Sequence, residues 1–345
     1  MHRKILTQLR CPLSFSQLDL QVLRAMEENP EHISEGILIA ETGPVYPILE
    51  GVPRLLPDAM LEHEDFLRSH LVDYDLRLVR VKKTFLNAIE TAERKNKKTR
   101  KSFSLEWEGH DYQSGKTWNL DAGSQVNQFF RETAENPQRL QGKTILDAGC
   151  GNGHLAMQIA NFGIRVFAID FSTSIVRASR INSNENCHFI QADVEMPPFC
   201  EAAFDLIHSS GVLIHTRNTR NSFLGLLPFV RKNGKISIWV YRKRKEFLHL
   251  IFNQVRNFTS QMHPVIQIPF LRVFIYLPAL ILKRLKGNQQ PTADLWVEIL
   301  DWFTPEFRWE HSEEDVKSWF REAGLEDVEI SEHNHWGFNA IGIKA

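Results

Sequence analysis

The chain has 345 residues, of which 43% are apolar and 24% charged, and its formal net charge is −1. That is an ordinary globular composition, long enough for a catalytic domain with an added module, and it excludes a whole-molecule basic field for nucleic acid. Four cysteines, Cys11, Cys150, Cys187 and Cys200, show no paired spacing, and Met1-His2-Arg3-Lys4 leads into an amphipathic segment and not an apolar h-region. The expectation is a reducing, cytoplasmic setting without a signal peptide.

Residues 1–57 read as a small module that opens with Leu9-Arg10-Cys11-Pro12 and closes with Tyr46-Pro47-Ile48-Leu49-Glu50-Gly51-Val52-Pro53. These pieces resemble the zinc-ribbon-type module of the small activator partner of tRNA and protein methyltransferases, also found fused to bacterial methyltransferases. A zinc site takes four soft ligands in two close pairs. Here Ser14 stands where a partner for Cys11 would fall and Glu41-Thr42-Gly43 supplies no thiol, so zinc is not expected and the module is read as a docking surface or brace. From residue 58 the pattern turns helical, with Leu67, Leu71, Tyr74, Leu78, Val81, Phe85 and Ile89 at steps of three or four. The basic run Arg94 to Lys101 breaks it; such a run is either a solvated linker or a contact for RNA or an acidic membrane.

From Asp121 onward apolar runs and helix-period segments alternate, which argues for a parallel sheet with right-handed crossovers. The defining stretch is Thr144-Ile145-Leu146-Asp147-Ala148-Gly149-Cys150-Gly151-Asn152-Gly153, a strand ending in a carboxylate, a glycine turn and a helix start. Glycines there let the backbone turn sharply and a ligand sit against it. Two ligands compete. A dinucleotide wants G-x-G-x-x-G and a pyrophosphate that a strand-end carboxylate would repel; the chain has G-x-G-x-G preceded by Asp147, which suits a ligand end carrying an ammonium and a sulfonium. Val166-Phe167-Ala168-Ile169-Asp170 ends in an acid able to accept both hydroxyls of a ribose, and His188-Phe189-Ile190-Gln191-Ala192-Asp193 ends in another, placed for an adenine amino group. Ser172 is a candidate cap for the helix after Asp170.

With these motifs and the strand Phe204-Asp205-Leu206-Ile207-His208, residues 120 to 345 resemble class I S-adenosylmethionine-dependent methyltransferases. The resemblance implies an α/β, Rossmann-like fold: a seven-stranded, mostly parallel sheet with helices on both faces and a terminal antiparallel hairpin. It implies S-adenosylmethionine as cofactor and S-adenosylhomocysteine as product. Gly149, Gly151 and Gly153 would line the methionine part, Asp170 the ribose and Asp193 the adenine, with Asp147, Cys150, Phe171, Ala192, Val194 and Ser209 completing the lining. His215, just past the fourth strand, resembles a histidine often present in small-molecule methyltransferases and is the candidate general base; His208 and Tyr241 are further candidates. Trp107, Tyr112 and Trp118 belong to a segment that either folds over the cofactor as a lid or packs the modules together. Trp118, His215 and Tyr241 are the candidate substrate contacts.

Residues 58–120 are thus read as linker and lid, and 121–345 as the methyltransferase domain with an insertion from Arg242 to about Phe307. The insertion has two apolar helical stretches, Phe247 to Val255 and Val265 to Leu285. The second nears the length of a membrane span, about 20 residues, but Gln267, Arg272 and two prolines argue against a true span. It reads as a substrate cap or as a surface that touches lipid. Ser312 opens a further helix, and two final strands close the sheet. His311, His333 and His335 lack further ligands for a metal. The functional expectation is methyl transfer to a small-molecule or lipid-like acceptor, with tRNA or protein methylation and a non-catalytic cofactor-binding regulator as alternatives.

Overall fold

The computed structural model describes residues 1–27, 29–95, 116–117, 120–244, 246–262, 264–287 and 292–345. Strands β1 (Leu18–Ala25), β2 (Ile33–Ala40), β3 (Val45–Leu49) and β4 (Val52–Leu55) make an antiparallel meander. The parallel strands β5 (Thr144–Ala148), β6 (Arg165–Asp170), β7 (Cys187–Ala192), β8 (Phe204–Ser210) and β9 (Val230–Arg242) follow, and the hairpin β10 (Leu325–His333) and β11 (Gly337–Lys344) ends the chain. β5, β6 and β7 are buried along nearly their whole length, as strands covered on both faces must be.

Among the described residues these strands form one twelve-stranded sheet in the order β1-β2-β3-β4-β7-β6-β5-β8-β9-β11-β10, with the short strand Glu310–His311 paired to β9. The run from β7 to β10 is the expected seven-stranded α/β core. The sheet does not stop there, because β4 pairs in parallel with β7 through Arg54↔Gln191 and Leu55↔Ala192. Arg54, only 6% exposed, donates from Nη1 to Gln191 Oε1 at 3.1 Å. Leu9, Ile33 and Leu55 share one apolar core with Leu146, Phe167, Phe204 and Phe320, so residues 1–57 extend the catalytic sheet and do not stand apart from it. In this module Cys11 Sγ lies 3.1 Å from Tyr46 Oη, and no group of side chains able to hold a metal occurs among the described residues.

The linker pattern divides into α1 (Ala59–Glu62), α2 (Glu64–His70) and α3 (Tyr74–Lys95), the last kinked at Phe85. α4 (Ala122–Thr133) packs on the sheet beside α5 (His154–Ala160); α6 (Ser174–Ile181) and α7 (Thr219–Leu226) make the further crossovers. In the insertion, α8 (Phe247–Thr259) is followed by α9 (Pro264–Leu271), which runs through a π turn, Arg272–Tyr276, into α10 (Leu277–Leu285). A third helix, α11 (Thr292–Phe303), was not anticipated. Leu271, Leu295, Ile299 and Phe303 give the insertion its own core. α12 (Glu313–Glu322) starts where expected, with Ser312 and Asp315 in a capping box.

Candidate functional site

After β5 the chain turns through Gly149, Gly151 and Gly153 at φ of 94°, 53° and 74°, a region that L side chains rarely adopt. Space enforces the same choice, since a Cβ on Gly149 would lie 2.3 Å from Val212 and one on Gly153 2.7 Å from Ala178 and Phe189. The amides of Gly149 and Cys150 both donate to the Ile169 carbonyl, at 2.8 and 2.9 Å. The loop is thereby folded onto the end of β6, where Asp170 stands.

Asp170 is the pivot. Its Oδ2 accepts from the Gly151 amide at 2.9 Å and its Oδ1 from the Ser172 amide at 2.8 Å. Each oxygen keeps a second lone pair, enough to accept the two hydroxyls of a ribose. Burial raises its carboxyl above the ordinary range, the Ser172 and Gly151 donors oppose this, and Asp147 adds to the rise. Ser172 is not the helix cap: α6 starts one residue after Thr173, and the Ser172 hydroxyl meets Ser174 Oγ at 2.6 Å. Burial, followed by the charges of Asp170 and Asp147, pushes the Cys150 thiol well above its usual value; it stays protonated and is no nucleophile. Ser209 Oγ donates to the Ala148 carbonyl at 2.8 Å, joining β8 to β5 behind the loop.

The next strand end holds Ala192, Asp193 and Val194, all buried. Here the structure brings in a residue that sequence reasoning had placed in a linker. Lys95 Nζ, from the last turn of α3, donates to both oxygens of Asp193, at 2.7 and 2.6 Å, and to Glu195 Oε2 at 2.5 Å. It also lies 5.7 Å from the Phe171 ring centroid. Burial would lower the Lys95 ammonium, but Asp193 and Glu195 hold it above its ordinary value. A cation donating to Asp193 beside the Phe171 face satisfies the same groups that an adenine amino group and ring would. The signal for Lys95 was present only as one member of a basic run.

Behind the loop lies a network that the sequence did not disclose. His208 Nε2 meets Glu132 Oε2 of α4 at 2.8 Å, while its Nδ1 is 3.8 Å from Asp147 Oδ1. The second distance is an ion-pair contact, too long for a hydrogen bond. Burial draws the imidazole down, yet Asp147 and Glu132 together raise it to about 9. A histidine held charged between two carboxylates cannot accept a proton, which removes His208 as a candidate base. The Glu132 carbonyl in turn accepts from Ser331 Oγ and Asn339 Nδ2, both at 2.6 Å, so α4 is clamped to the C-terminal hairpin.

His215 and Tyr241, far apart in sequence, do meet: their rings are 6.2 Å apart and perpendicular. His215 Nδ1 is 2.9 Å from the Phe307 carbonyl. A carbonyl only accepts, so Nδ1 donates this hydrogen bond, and Nε2 is the ring's other nitrogen, buried in the structure. Arg308 was overlooked, having no motif around it. Its guanidinium lies 3.9 Å from the Tyr241 centroid and 4.0 Å from that of Trp302, and Nη1 pairs with Glu310 at 2.7 Å. Glu310 also bonds His249 Nε2 at 2.7 Å. The insertion thus supplies Trp302 and Arg308 to the wall containing Tyr241. His333 pairs with Glu313, His335 with Arg244 and His311 with Thr219, which disperses the three histidines. Trp107, Tyr112 and Trp118 lie outside the described residues.

The family profile described as "Methyltransferase domain" matches residues 140–324. The mitochondrial ubiquinone biosynthesis O-methyltransferase of Schizosaccharomyces pombe is 27% identical over 150 residues, covering 39% of this chain and 54% of that protein. The malonyl-(acyl-carrier protein) O-methyltransferase of Buchnera aphidicola is 37% identical over 96 residues, 28% of this chain and 38% of that protein. The chain therefore aligns with only about two-fifths to a half of these curated relatives. Among solved structures, a 1,6-didemethyltoxoflavin-N1-methyltransferase of Burkholderia thailandensis with bound S-adenosylhomocysteine covers 72% of this chain and 87% of its own, at 14% identity and a TM-score of 0.43.

Proposed function

The chain belongs to the methyltransferase-domain family, whose profile covers more than half of it, and on that premise we propose that it transfers a methyl group from S-adenosylmethionine to a small-molecule, lipid-like acceptor. One observation carries the cofactor reading. The glycine loop after β5 is held in left-handed backbone against Asp170, whose Oδ2 accepts from Gly151 in the loop and whose Oδ1 accepts from Ser172, each oxygen being able to accept a further hydrogen bond. The residues fit the group: side chains are excluded at Gly149 and Gly153 by contacts under 3 Å, and acids stand at three successive strand ends.

S-adenosylmethionine, when bound, would supply an activated methyl group that an aligned nucleophile takes in line, with S-adenosylhomocysteine as the leaving group. The chain's own residues do the rest. Asp170 would hold the ribose, Asp193 would take the adenine amino group in the place that Lys95 Nζ now fills, and Phe171 would offer a ring face. His215, whose Nδ1 donates to the Phe307 carbonyl, would take a proton from a hydroxyl acceptor at Nε2. Tyr241 and Trp302, spaced by Arg308, form an aromatic wall suited to an apolar acceptor carrying a polar or anionic group.

Calorimetric titration with S-adenosylmethionine and S-adenosylhomocysteine, with NAD as control and Asp170→Ala as second protein, tests the premise. Micromolar binding of the adenosyl ligands that the substitution weakens supports it. Tight NAD binding, or no adenosyl binding, overturns it. Transfer of labelled methyl to a panel of phenols and carboxylic acids then tests the acceptor class.

A further inference from the structure

The polarity of the helix pair α9–α10 is inverted relative to that of a soluble surface helix. The most apolar 18-residue window of Val265–Leu285 has a mean hydropathy of 2.0, and only 11% of it is buried. A core helix of a soluble protein would be mostly buried, so packing does not account for the apolar run. The outward residues are the apolar ones: Ile266 is 63% exposed, Phe274 63%, Ile281 58% and Leu285 79%. Two polar side chains turn toward the protein. Gln267 is 4% exposed and donates to the Thr259 and Phe303 carbonyls at 2.9 and 3.1 Å; Lys283 donates to Glu298 at 3.2 Å.

We propose that this face is a docking surface for an anionic lipid bilayer, on which the helix lies in the plane of the membrane. The charge pattern selects that partner. From Pro264 to Gly287 the chain contains no Asp or Glu, while Arg272, Lys283, Arg284 and Lys286 fall within it, and Arg284 and Lys286 are exposed beside Leu285. Apolar side chains then enter the acyl boundary while basic ones stay at the headgroups. Length and ties set the orientation. Twenty-one residues make a rod of about 30 Å, but its inner face is bonded through Gln267 to α8 and α11 and packed on Leu295 and Ile299, so lipid cannot surround it. The proposal stands apart from the methyl-transfer reading, because it rests on this surface alone.

The test is co-sedimentation of the full chain with vesicles of phosphatidylcholine and of an equal mixture of phosphatidylcholine and phosphatidylglycerol. The wild type is expected to bind the mixed vesicles more tightly. Phe274→Ser with Ile281→Ser, at exposed positions, is expected to lower that binding at least about tenfold with an unchanged thermal unfolding midpoint. Arg284→Glu with Lys286→Glu is expected to bring binding to the mixed vesicles down to the level of phosphatidylcholine alone. Wild type that binds neither vesicle, or a serine variant that binds like wild type, overturns the proposal. So does a wild-type dimer that the serine variant converts to a monomer, because the face would then be an interface between two copies of the chain.

Discussion

Replacing Glu132 with Gln keeps the shape of the buried network behind the glycine loop but removes one of the two charges that hold His208. Both His208 and Glu132 have side chains 2% exposed, so solvent screening does not blunt the effect. In the folded protein the imidazole stands at about 9, against about 6.5 in an unfolded chain. Folding therefore favours the protonated ring. Its stabilisation is complete below about pH 6.5 and is lost as the pH rises through about 9. The difference between the two values corresponds to about 3 kcal/mol. Urea unfolding at pH about 6 and about 9.5 should show the wild type losing that amount, and Glu132→Gln losing less than about half of it, since only Asp147 at 3.8 Å remains. The variant should be about 1.5–3 kcal/mol less stable than wild type at the lower pH and close to it at the higher, the difference being the wild-type loss less the variant's own. Parallel losses in the two proteins, or no loss in the wild type, would refute the reasoning.

Gly149→Ala places a Cβ 2.3 Å from Val212 at a φ of 94°. It should cost roughly 1–3 kcal/mol of stability in urea unfolding and weaken S-adenosylhomocysteine binding; a variant as stable and as tight as wild type would contradict the steric argument. Lys95→Met frees Asp193 and should tighten S-adenosylhomocysteine binding by calorimetry at least about threefold, on the principle that removing a competing internal contact raises apparent affinity. Equal or weaker binding would place the Lys95 contact outside the adenine position. His215→Gln should leave adenosyl binding within about twofold while lowering methyl transfer to a hydroxyl acceptor about 10²–10⁴-fold. Turnover that is undiminished, with the same pH profile, would remove the histidine as the base.

The sequence by itself determined the α/β fold and the glycine loop, because those depend on local patterns. Three glycines at alternate positions, an acid at the end of each of three short apolar runs and the strand–helix alternation are all written within windows of about ten residues. The hairpin at the end and the Ser312 cap were legible for the same reason. Tertiary structure alone decided what joins distant segments. Nothing in Val52-Pro53-Arg54-Leu55 announces that it will pair with Gln191 and Ala192, since a four-residue strand carries too little pattern to select one sheet edge over another. Lys95 reaches Asp193, His208 finds Glu132, and Arg308 slides between Tyr241 and Trp302. Apart from the short step from Trp302 to Arg308, each is a pairing of charge or ring across many tens of residues that no spacing rule encodes. The apolar run at Val265–Leu285 divides the two cases. Its length and hydropathy were visible in the sequence, but which face turns outward is set by the bonds of Gln267 and Lys283 to their neighbours, and those exist only once the helices have packed.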